Sequence, residues 1–122
     1  MKKSSKASRK LLEEAVKDLE IGCYNKAASA SYFAARILAE EILKTLKEPI
    51  PRRDDKLINS IRNKGLINEA IILGILYQYR KRADHQASIE REEAEIAVRK
   101  SIEIIESMEK YLGKIAEKHG NK

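Results

Sequence analysis

An arginine and a histidine stand five positions apart in Arg80-Lys81-Arg82-Ala83-Asp84-His85, shortly before Ser88. A guanidinium carries paired donors that fit phosphate oxygens, and an imidazole changes protonation state near neutral pH, so the two together suit attack on a phosphodiester. The ligand this implies is RNA or a nucleotide. Arg80 would bind and stabilise phosphate and His85 would move the proton. Tyr79, Lys81 and Arg82 would add substrate contacts, Tyr79 by orienting a base or the arginine. A plainer reading stands beside it, with His85 merely solvated and Arg80 paired to Asp84 or a glutamate.

No metal or other cofactor is expected. Cys23 is the single cysteine, so neither an internal disulfide nor a thiolate cluster can form. Glu40-Glu41 and the acids from Glu90 to Glu95 have no histidine at ligand spacing and read as solvated or capping residues. His119 lies in a tail expected to fray, where a functional role is improbable.

Positive charge is concentrated mid-chain. The formal charge is +6 over 122 residues, and residues 44 to 82 alone hold ten basic against four acidic side chains. Lys44, Lys47, Arg52, Arg53, Lys56, Arg62 and Lys64 join the Arg80 segment in a footprint of the kind a polyphosphate backbone attracts, although a lysine-rich solvated surface has the same composition. No apolar run reaches signal-peptide or membrane-spanning length, so a soluble, cytoplasmic protein with no membrane partner is expected.

The elements that must position the pair read as helices throughout, in one domain over residues 1–122 with ends 1–5 and 118–122 frayed. Leu11, Leu12, Ala15, Val16 and Leu19 give a first helix over about residues 6–21, ended by Gly22. Asn25 is placed to cap a second, whose seam is Ala28, Tyr32, Ala35, Ala39, Ile42 and Leu46, with Pro49 and Pro51 stopping it. Its further alanines, Ala27, Ala30 and Ala34, suit a central helix approached from several sides. Asp54 or Asp55 would cap a short third helix through Leu57, Ile58 and Ile61 up to Gly65.

From Leu66 to Tyr77 apolar residues surround the helix axis, which calls for neighbours on both sides and predicts a homodimer through this fourth helix. It is expected to end near Arg82. Ser88 would cap a fifth helix with Glu90, Glu92 and Glu93 in its first turn and a long stripe from Ala94 to Ile115. The fold class is all-α: an antiparallel up-and-down four-helix bundle with one additional short helix. In an unbroken helix five positions turn through about 140°, so Arg80 and His85 share no face unless the helix ends between them. A two-fold partner would then supply a second pair, and two histidines could divide the acid and base work that one cannot do alone.

Two segments resemble the HEPN family of small helical-bundle proteins. One runs from Tyr24 through Tyr32-Phe33-Ala34-Ala35-Arg36 to Glu40-Glu41-Ile42-Leu43, like the family's alanine-rich second helix. The other is Leu76-Tyr77-Gln78-Tyr79-Arg80 followed by Ala83-Asp84-His85, in which four residues separate arginine and histidine, within the family's range of four to six. The resemblance implies a bundle that dimerises with both motifs in one cleft. In many members it also implies a metal-independent endoribonuclease, frequently the toxin of a toxin–antitoxin pair. Other members are inactive or accompany a small nucleotidyltransferase, which leaves a nucleotide-binding or nucleotidyltransferase-docking module as the alternative. Two positions depart from the pattern. Lys81 stands where many active relatives carry a smaller polar residue. Ala87 stands where one subgroup has a tyrosine that its partner modifies.

Overall fold

The computed structural model describes residues 3–85 and 88–120, the last two by backbone alone. Five helices follow in order: α1 Lys3–Glu20, α2 Tyr24–Thr45, α3 Asp54–Asn63, α4 Ile67–Asp84 and α5 Arg91–Gly120. Helix α1 starts before its apolar stripe does, because polar residues of its first turns find partners on α2. Ser4 Oγ donates to Glu41 Oε1 at 2.7 Å and buried Ser8 Oγ donates to the Ala34 carbonyl at 2.7 Å.

Gly22, at φ 84°, ends α1 as expected: its N–H bonds the Leu19 carbonyl and that of Cys23 bonds Asp18. Gly65, at φ 85°, follows α3 in the same left-handed region. Helix α2 stops earlier than its prolines require. Lys47 takes φ 59° and donates to Lys44, while Glu48 donates to Leu43, the same paired closure without a glycine. A side chain in that region is strained, and Lys47 is exposed. Lys47→Gly is therefore expected to raise the unfolding free energy by about 0.5–1 kcal/mol, read as a shifted urea midpoint at unchanged slope.

Side-chain bonds give the directions of the helices. Ser4 meets Glu41 and Ser8 meets Ala34, so α1 and α2 are antiparallel. Ser107 reaches Glu69 and Arg82 reaches Glu93, so α4 and α5 are too. Helix α2 lies at the centre against all four others, whereas α1 and α4 do not touch. Small residues allow this: Ala27, Ala28, Ala34, Ala35 and Ala39 are fully buried, and Ser101 Oγ of α5 donates to the Ser31 carbonyl of α2 at 2.8 Å. Leu38, Ile42, Leu43, Leu73, Leu76, Ile104, Ile105 and Met108 fill the space around them.

Helix α4 divides its apolar residues between two sides. Ala70, Ile72, Leu73 and Leu76 face the core, while Ile67 and Ile71 stay 50% and 51% exposed on the outer side. Among the described residues no helix is long and apolar enough to cross a membrane.

Candidate functional site

The C-terminal half of α4 meets the start of α3 and the middle of α2 around one carboxylate, that of Asp54. It was expected as a helix cap. Instead Arg53 is the N-cap residue, with no side-chain cap bond, and Asp54 is the first helical residue, its side chain turned inward. There Asp54 Oδ1 accepts from the Tyr32 hydroxyl and from Arg36 Nη1, and Oδ2 accepts from Arg80 Nη1 at 3.1 Å. Arg36 also donates to Glu40 at 2.8 Å and to the Pro51 and Arg52 carbonyls at 3.2 Å each, which fastens the α2–α3 connection to α2. Two cations on one anion need this convergence, because an unpaired charge at such depth is costly.

Arg80 projects from the inward side of α4. Its guanidinium lies 4.7 Å from the centre of the Phe33 ring and 5.8 Å from that of Tyr32, within reach of cation–π attraction. A second carboxylate, Asp84, holds Nη2 at 3.3 Å. Nε is buried and has no hydrogen-bond partner among the described residues. The pairing of Arg80 with Asp84, the plainer of the two sequence readings, is thus present, and Asp54 adds to it.

His85 lies elsewhere around the helix. Helix α4 does not end near Arg82: it runs to Asp84, and His85 is its C-cap, with φ −91°, ψ 20° and an N–H bonded to the Lys81 carbonyl at 3.1 Å. The turn of about 140° between Arg80 and His85 is therefore kept. His85 is exposed on the side of Ile67 and Ile71, away from the Asp54 cluster. The helix continues because Tyr79 and Ala83 still pack against the core and no breaker intervenes.

The three residues named as substrate contacts are each engaged. Lys81 Nζ sits 5.4 Å from the Tyr77 ring centre, and Arg82 stacks at 6.0 Å over Tyr79. Arg82 Nη2 also donates to Glu93 Oε1 at 3.0 Å, joining the end of α4 to the start of α5. Ser88 does not cap α5. The Glu90 carbonyl accepts the first helical bond from Ala94, and the Glu93 carboxylate takes the Glu90 N–H at 3.0 Å, one half of a capping box. The bond from Arg82 is the main cause that holds the Glu93 carboxyl below the usual range.

Asn25, expected to cap α2, lies one residue inside it. Its Oδ1 accepts from the Ile89 N–H at 2.9 Å, and Ile89 itself is buried, so the end of the α4–α5 connection is pinned to α2. Ala87 and the His119 side chain lie outside the described residues. Among the described residues no three histidine, cysteine, aspartate or glutamate side chains gather as a metal centre would need.

Arg36, Asp54 and Phe33 are the site residues that sequence patterning did not assign. One signal was present: an arginine on an alanine-rich central helix requires a buried anion, and Asp54 follows the proline turn that folds back on it.

Burial, then the hydrogen bond to Asp54, pushes the Tyr32 phenol well above its ordinary value, against a smaller opposing effect of Arg36. For a proton-releasing group raised on folding, the stabilisation is complete below the unfolded value of about 10 and is lost as pH climbs through the folded one. Tyr32→Phe should therefore flatten the alkaline fall in stability above about pH 10, measured by denaturant midpoints across pH.

In comparisons with known proteins the chain matches no family model, and no curated protein matches it.

Proposed function

We propose that this chain works in the cytoplasm as a homodimer that recognises the phosphodiester of RNA and cleaves it without metal, as the toxin of a pair whose antitoxin is a small nucleotidyltransferase. The HEPN resemblance supplies the activity. The observation that supports the reading most directly is local: a guanidinium edge held, among the described residues, by half-exposed Asp84 lies beside the Phe33 ring, and an exposed imidazole follows about 7.5 Å along the axis and about 140° around it, so that Arg80 and His85 would meet one phosphodiester only across a dimer cleft.

Helical rotation places His85 on the side of Ile67 and Ile71 but about 21 Å along the axis beyond Ile71, so a two-fold contact through the exposed isoleucines would bring two His85 side chains together where the two copies of α4 run parallel. One would accept the proton of the ribose 2′-hydroxyl as that oxygen bonds phosphorus. The other would protonate the departing 5′-oxygen, leaving a 2′,3′-cyclic phosphate and a 5′-hydroxyl, with Arg80 offsetting charge on the phosphorane. On this basis Ile71→Glu yields monomers in sedimentation and loses cleavage together.

The anchoring of Arg80 by two carboxylates favours a second reading, a nucleotide-binding or nucleotidyltransferase-docking module without catalysis. Incubation with a structured RNA in chelator separates the two. Cyclic-phosphate products support the nuclease; intact RNA with nucleotide still bound supports the module.

A further inference from the structure

Arg80 carries two carboxylates that are held in very different ways. Asp54 has a side chain only 17% exposed and is fixed by three donors, from Tyr32, Arg36 and Arg80. Asp84 is 47% exposed, and its pairing with Arg80 Nη2 at 3.3 Å is an exposed i,i+4 contact of the kind that contributes little. It is also the last residue of α4, where the negative end of the helix dipole disfavours a carboxylate. Helix stability therefore gives no reason for an acid at this position.

We propose that the Nη2 edge of Arg80 is a phosphate subsite whose resting occupant is Asp84, displaced when an RNA phosphate binds. This rests on the reading that Arg80 recognises phosphate and adds how the site is kept filled when empty of ligand. Asp54 stays in place, holding Nη1 and so fixing the plane of the guanidinium. Phe33 lies 4.7 Å from that guanidinium and stands 39% exposed, an apolar wall for the base or ribose next to the bound phosphate. A phosphate oxygen on Nη2 replaces one anion with another while Asp54 stays on Nη1, so the guanidinium keeps an anionic partner, and the competing carboxylate sets a threshold that weak anions do not pass.

The test uses fluorescence anisotropy with a labelled 2′-O-methyl oligoribonucleotide, which lacks the attacking hydroxyl and stays intact. Asp84→Asn is expected to bind about fivefold more tightly than wild type. In an Arg80→Ala background the same substitution should bring no gain, because the edge being contested is gone. An Asp84→Asn chain that binds no more tightly, or gains as much without Arg80 as with it, overturns the proposal; the second result would reduce Asp84 to a bulk charge. Weaker binding by Arg80→Ala alongside an unchanged Asp84→Asn removes only the exchange and leaves phosphate recognition standing. Equal binding by wild type and Arg80→Ala removes the recognition itself. Circular dichroism confirms that each variant is folded.

Discussion

Asp54→Ala lowers the unfolding free energy by about 3 kcal/mol and the melting temperature by about 10 °C. The substitution leaves Arg36 and Arg80, whose side chains are 14% and 25% exposed, without their shared anion and the Tyr32 hydroxyl without its acceptor. Breaking a fully buried pair costs somewhat more than this; the partial exposure of Arg80 and the remaining contact between Arg36 and Glu40 reduce it. Asp55→Ala is the control one residue away. Asp55 is exposed, its ion-pair partner among the described residues is exposed Arg53, and it has no part in the cluster, so its loss costs only the small contribution of a surface acid in the first turn of α3 and shifts the midpoint far less. The comparison is decided by thermal and urea unfolding of the two variants, and equal effects at both positions would show that the cluster stabilises the fold no more than an exposed ion pair does.

How far the sequence reveals this architecture depends on the scale of the force involved. Of the predicted seam of α2, Ala28, Tyr32, Ala35, Ala39 and Ile42 are fully buried and Leu46, at the C-cap, is partly so, because helical period and apolar burial act over many residues together. Gly22 and Gly65 likewise end α1 and α3 where a left-handed residue is needed. Single polar side chains are different. Asn25 and Ser88 both carry the chemistry of caps, but Asn25 has a better partner in the Ile89 N–H and α5 begins three residues beyond Ser88. Lys47 shows the reverse case, a left-handed closure that no glycine announces. Each of these outcomes rests on about one hydrogen bond, too little for pattern alone to decide.

The candidate site divides the same way. The proximity of Arg80 and His85 along the chain was legible, and so was the rotation between them. That α4 would keep its helical path through Asp84 was not, because it depends on Tyr79 and Ala83 finding core contacts supplied by distant segments. Asp54 was visible as an acid at a helix start, and its role as the common anion follows only from the return of the chain after Pro51 onto Arg36.

The largest effect on activity is expected at His85. If the proposed cleavage holds, His85→Ala lowers the rate by about 10³-fold, the usual contribution of a positioned acid or base, and Arg80→Ala lowers it by about 10²-fold through the loss of phosphorane stabilisation. Arg80→Lys keeps the charge but not the paired donors and recovers only part of the rate. Subunit mixing then asks whether the two histidines act together. Were two copies of α4 to pack parallel through their outer sides, each dimer would hold one proton acceptor and one proton donor. Wild-type chain mixed with an excess of His85→Ala chain should then lose nearly all cleavage, since each mixed dimer lacks one of the two. Protomers acting singly would retain activity in proportion to the wild-type chain added. Quantifying 2′,3′-cyclic phosphate against mixing ratio distinguishes a steep loss from a linear one, and a linear plot would exclude the division of acid and base between two copies of His85.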